Sequence, residues 1–116
     1  MKGSEIVKEL AGQNGEDKCF IRWWRRENDF VDYELIENFT RDVKPDQEFS
    51  GYDLLDLEEM WSVLQEQAGA RVRREHRTKG EFLVWDRKDG KTEECLFTPR
   101  TVMSVFDVET KGNPVD

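Results

Sequence analysis

Between Ser50 and Gly69, apolar residues return at intervals of three and four. Leu54, Leu57, Trp61, Leu64 and Ala68 fall on one stripe of an α-helix, and Met60 and Val63 widen it. Asp53, Asp56, Glu59, Glu66 and Gln67 mostly lie off that stripe. The pattern predicts one main amphipathic helix over about 51–68. Ser50 carries a hydroxyl suited to an N-cap, and Gly69 can end the helix in a left-handed conformation. Asp53, Asp56, Glu58 and Glu59 sit near the positive end of the helix dipole, where carboxylates are favoured.

Elsewhere the period shortens towards two. Cys19 to Arg26 (C-F-I-R-W-W-R-R) has the aromatic and β-branched content of a strand. A polar Glu27-Asn28-Asp29 turn follows. Phe30 to Ile36 then alternates, with Val31, Tyr33 and Leu35 on one face and Asp32 and Glu34 on the other. This predicts a β-hairpin; a single helix over 20–39 is the alternative that periodicity leaves open. Glu81 to Arg87 and Thr92 to Phe97 predict a second hairpin, because Asp89-Gly90 suits a tight turn with positive φ.

The remaining segments are shorter. Ser4 to Gly12 predicts a short helix capped by Ser4, and Gln13 to Asp17 a loop. Asn38 to Phe49 reads as loop, with a turn at Pro45-Asp46. Ala70 to Thr78 predicts a basic, exposed strand. Thr98-Pro99 has the form of a helix start, whereas the β-branched run Thr101 to Phe106 supports a strand instead. No internal repeat or low-complexity tract interrupts the chain. The expected fold is α+β, a single domain over 1–110. It has a mostly antiparallel sheet of about five strands packed against the main helix, a short N-terminal helix, and a frayed tail at 111–116.

Composition sharpens this picture. Charged residues (38%) outnumber hydrophobic ones (36%), a balance that approaches that of disordered chains. Thirteen aromatic residues, four of them Trp, argue for a folded core beneath a very charged surface. Net charge is −8, and it is unevenly spread. Glu27 to Gln67 holds thirteen acidic residues against Arg41 and Lys44, a net of −11. Ala70 to Lys79 holds five basic residues against Glu75, a net of +4. Arg22, Arg25 and Arg26 surround Trp23 and Trp24. Solvated faces that partly neutralise one another would account for such runs; a docking patch is the functional alternative.

Three readings follow. The first is a protein-binding module, of inhibitor or immunity type, whose acidic surface attracts a basic protein. Glu48, Asp53, Asp56, Glu58 and Glu59 would carry the attraction, and Trp23, Trp24, Arg25 and Arg26 a second contact edge. Toxin-neutralising immunity proteins and phage proteins that mimic nucleic acid share this size and charge, a likeness that rests on no sequence match. The second is nucleic-acid binding through Arg22–Arg26 and Arg71–Lys79, which the net charge opposes. The third is a metal-dependent nuclease. Pro45-Asp46 and Asp86-Arg87-Lys88 resemble the PD…(D/E)xK signature of that class, which implies Mg²⁺ on Asp46 and Asp86 with Lys88 positioning water. A whole helix lies between the two halves, where that class usually has a short hairpin, and Lys88 is equally explained by the following turn.

No other residue carries a chemical signature. His76 lies in a basic run, Cys19 and Cys95 match no metal spacing, and Ser50 and Ser104 lack a nucleophile context. The expectation is a cytoplasmic protein (host cytoplasm if phage-encoded) without catalysis, cofactor or metal. It binds a basic protein in preference to nucleic acid, with homodimerisation through an edge strand as a further route. Neither a secretion signal nor an 18-residue apolar run is present, so no membrane partner is expected.

Overall fold

A computed structural model of the chain describes residues 1–11, 19–24, 30–110 and 113–114. The chain divides into two compact units, Met1–Asp56 with Gly112–Asp116, and Leu57–Lys111.

The first unit comprises α1 (Gly3–Ala11), β1 (Cys19–Trp24), β2 (Phe30–Ile36), α2 (Phe39–Asp42), β3 (Gly51–Leu55) and, after the second unit, the two-residue β7 (Asn113–Pro114). Its sheet runs in the order β3-β1-β2-β7, each pairing antiparallel. The predicted hairpin over 19–36 is therefore present, in place of a long helix. β1 sets Trp23 opposite Asp32 and Tyr52, and Ile21 opposite Glu34 and Leu54. Ile21, Trp23 and Ile36 join Ile6 and Leu10 of α1, Val43 and Phe49 in one buried cluster. The alternation of β2 holds, but the acidic side chains Asp32 and Glu34 share the face of the buried Trp23, not an open one.

α1 begins at Gly3, one residue before the predicted cap. The reason is steric: a Cβ at Gly3 would collide with the Lys44 carbonyl, so only glycine lets the helix lie this close to the 43–45 segment. The Glu5 carboxylate accepts from the Lys2 N–H at 2.9 Å, a capping role that Ser4 does not take. The expected loop over 38–49 contains α2, capped by the Asn38 side chain. Two residues of the tail expected to fray, Asn113 and Pro114, pair with Phe30 and Val31.

The second unit comprises α3 (Leu57–Ala68), a 3-10 turn (Gly69–Arg71), β4 (Val72–Arg77), β5 (Gly80–Asp86), β6 (Thr92–Leu96) and α4 (Pro99–Glu109). Its sheet order is β4-β5-β6, antiparallel throughout. Met60, Trp61, Leu64 and Ala68 are the buried stripe of α3, and Val102, Met103, Val105 and Phe106 that of α4. Each fully buried aliphatic side chain contributes about 1.5–3 kcal/mol of hydrophobic stabilisation. Gly69 has φ of 60° and ends α3 as predicted. Thr98 and Thr101 form a reciprocal capping box with Pro99 at the helix start, so 98–107 is helix and not strand.

Two expectations need correction. The main helix does not span 51–68: Gly51–Leu55 is strand β3, and the helix starts at Leu57. Leu54 continues the stripe of α3 but also alternates with Tyr52, and β1 takes both as its second partner. Ser50 does not cap α3; its hydroxyl and N–H both donate to the Trp24 carbonyl. Nor do about five strands form one sheet around one helix. The α+β class holds, but the strands divide between two sheets and four helices are present among the described residues.

Candidate functional site

Most arginine side chains among the described residues are already engaged by carboxylates. Arg22 on β1 pairs with Asp53, which lies directly opposite on β3. In the run after Gly69, Arg71 pairs with Glu109, and Arg73 forms a two-bond fork with Asp86 at 2.8 and 3.1 Å. Arg74 reaches Glu58 at 2.6 Å and also Glu81. Arg77 forks onto Glu94 at 2.9 Å and also meets Glu75. These pairs raise the Arg73, Arg74 and Arg77 pKa values further, and the fork depresses that of Asp86. The sequence pattern R-V-R-R-E-H-R reads as a basic patch, and the fold converts it into a cross-strand lattice of ion pairs.

The predicted contact residues fall in different places. Glu48 is well exposed and meets the chain's N-terminal ammonium at 3.3 Å. Asp53 is exposed but held by Arg22. Asp56, Glu58 and Glu59 are exposed and follow one another closely at the start of α3. Trp23 is 2% exposed, edge-on to Phe49 with ring centres 5.1 Å apart. It is a core residue and no contact anchor. Trp24 is half-buried, its ring against Gly51. Arg25 and Arg26 lie outside the described residues, as do the loop expected over 13–17 and the turn expected over 27–29.

Of the nuclease-like residues, Asp86 is already engaged. Both oxygens of Asp86 accept hydrogen bonds, from Arg73 and from the Thr92 hydroxyl at 3.0 Å. Asp46 is exposed, and Lys88 lies at the hairpin tip. Among the described residues, no group of three or more His, Cys, Asp or Glu side chains converges as a metal site. His76 is exposed on β4. Cys95 is a free, half-buried thiol, and burial pushes its pKa up, away from a reactive thiolate.

The sequence predicts an open edge strand without saying which, and β6 is such an edge. Four of its five residues are exposed, and Leu96 is 52% exposed. The low apolar content of T-E-E-C-L is the signal that marks such an edge. Among the described residues, no helix is long and apolar enough to cross a membrane. No family model matches the chain, and no curated protein or solved structure matches it either.

Proposed function

We propose that this chain is a protein-binding module of the inhibitor or immunity type, which draws in a basic partner protein through its carboxylates. The ion-pair lattice supports this reading. Arg22, Arg71, Arg73, Arg74 and Arg77 are each held by an internal carboxylate, so these arginines offer no free grip for a phosphate backbone. The excess of eight negative charges is then what a partner meets. Glu48, Asp56 and Glu59, all exposed, lead the long-range attraction, whereas the exposed Asp53 and Glu58 share their charge with Arg22 and Arg74, and Trp24 is the aromatic of the Trp pair that remains partly open. The free Cys95 thiol suits a reducing, cytoplasmic setting. No catalytic group and no cofactor enter this reading.

The test is affinity capture with the full chain at low and high salt, followed by titration calorimetry against whatever is retained. The expected result is a basic protein held at low salt and released at high salt. It should bind more weakly when Asp56, Glu58 and Glu59 are replaced together by their amides. Capture of nucleic acid instead, or of nothing basic, would overturn the reading.

A further inference from the structure

The register of β6 determines which of its backbone groups face outward. At one end of the β5–β6 ladder the Arg87 N–H donates to the Lys91 carbonyl at 2.8 Å, and at the other the Phe97 N–H donates to the Glu81 carbonyl at 2.9 Å. Hydrogen-bonded pairs alternate along an antiparallel ladder. Glu93, opposite Trp85, and Cys95, opposite Leu83, therefore also turn their backbone groups towards β5. Thr92, Glu94 and Leu96 turn theirs to the other side. No strand lies there among the described residues, because β6 pairs with β5 alone. One of these groups is occupied: the Leu96 carbonyl accepts from the Thr101 hydroxyl at 2.7 Å. The N–H and C=O of Thr92 and Glu94 and the N–H of Leu96 remain on a solvent-open edge.

The charge on this edge selects its occupant. Arg77 is shared between Glu75 and Glu94, and Arg87 between Asp89 and Glu93. The Arg77 cluster thus holds one carboxylate more than it has cations, whereas Lys88 lines the same pocket as Arg87, Asp89 and Glu93 and balances the second cluster, so the excess charge on β6 sits at Glu94. A second copy of this chain is disfavoured, since the antiparallel pairing centred on Glu94 sets the two Glu94 side chains against each other. Leu96, exposed at the end of the strand, offers an apolar contact beside the charges.

We propose that an extended, basic segment of the partner protein adds to the outer edge of β6 as a fourth strand of the β4-β5-β6 sheet. Main-chain hydrogen bonds to Thr92, Glu94 and Leu96 supply the register, and a lysine or arginine side chain meets the excess carboxylate at Glu94. This rests on the protein-binding reading and specifies where and in what form the partner is held.

The experiment is an NMR titration of the full chain with a short synthetic peptide alternating lysine and valine. A second peptide, N-methylated at alternate amides, keeps the same charge but loses the donors. With the first peptide, amide exchange at Thr92, Glu94 and Leu96 should slow by about tenfold, with little change at Glu93 and Cys95, which are already bonded. The methylated peptide should bind at least about tenfold more weakly. Equal binding of both peptides would overturn strand addition while leaving the acidic-surface reading intact. Binding of neither at low salt would count against both. Protection of the same amides on self-association, without peptide, would assign the edge to a second copy and overturn the proposal.

Discussion

The Arg74 guanidinium lies 4.1 Å from the centre of the Phe97 ring and 5.7 Å from that of Trp61. One side chain on β4 thus stacks on two aromatic rings, which meet edge-on at 5.8 Å, while its nitrogens hold Glu58 of α3 and Glu81 of β5. Lysine matches the charge but has neither the planar fork nor the flat face. Arg74→Ala should lower stability by about 2 kcal/mol, since a cation–π contact and two partly screened pairs are lost together. Arg74→Lys should recover less than half of this. Urea unfolding of the three proteins checks the order.

Gly3→Ala tests the close approach at the start of α1. Alanine is ordinarily the better helix former by about 1 kcal/mol. Here its methyl would run into the Lys44 backbone, which a rotamer change cannot move aside. The expected outcome is a loss of about 1–3 kcal/mol, the usual range for overpacking. Thermal unfolding that rises with the substitution would contradict the contact.

Two carboxylates of the first unit should respond to acid in opposite directions. Burial raises the Glu34 pKa, only partly countered by the neighbouring Trp23 indole and Lys44, with Asp32 and Asp42 adding to the rise. A raised carboxyl costs stability above its folded pKa and costs nothing once protonated. Glu34→Gln should therefore raise the melting temperature near neutral pH, with the gain vanishing as pH falls. Asp42 is held well below its ordinary range by Arg41 and by the Asn38 and Glu37 backbone N–H groups, at 3.0 and 2.9 Å. Its contribution is present above the unfolded carboxylate pKa and is lost as pH falls towards its depressed value. Asp42→Asn should destabilise at neutral pH, and the difference should close only in strong acid. Melting curves of both variants across pH separate the two behaviours.

A fluorescently labelled single-stranded oligonucleotide should show no salt-dependent rise in polarisation with this protein. The arginines from 71 to 77 would have to release their carboxylates before gripping phosphates. A clear rise at low salt that falls with added salt would restore nucleic acid as the partner.

The local signals in the sequence were legible where one force dominated. The 57–68 stripe, the Asp89-Gly90 turn, the Thr98-Pro99 cap and the 19–36 hairpin all appear where periodicity or turn chemistry places them. The 51–55 stretch was not, because Leu54 fits both the three-four stripe and a two-residue alternation with Tyr52. Only pairing with β1, a long-range contact, decides between them. The Trp23–Trp24 pair shows the same limit. Alternation says that one faces in, and the α1 cluster settles that it is Trp23. The arginine run misleads for a related reason. Its partners Glu58, Asp86, Glu94 and Glu109 are distant in sequence, so one-dimensional charge counting reports a patch where the fold has pairs.

Glu109 closes α4 at the end where the helix dipole disfavours a carboxylate, and no basic side chain occupies that last turn. It is tolerated because the Arg71 guanidinium and the Trp85 indole N–H, at 3.1 Å, both donate to it. Shortening the chain to end at Val108 would therefore strip more than a helix terminus. It would orphan the Arg71 guanidinium in the 3-10 turn that leads into β4 and the Trp85 indole near the end of β5, unpinning two segments that the chain reaches long before the cut.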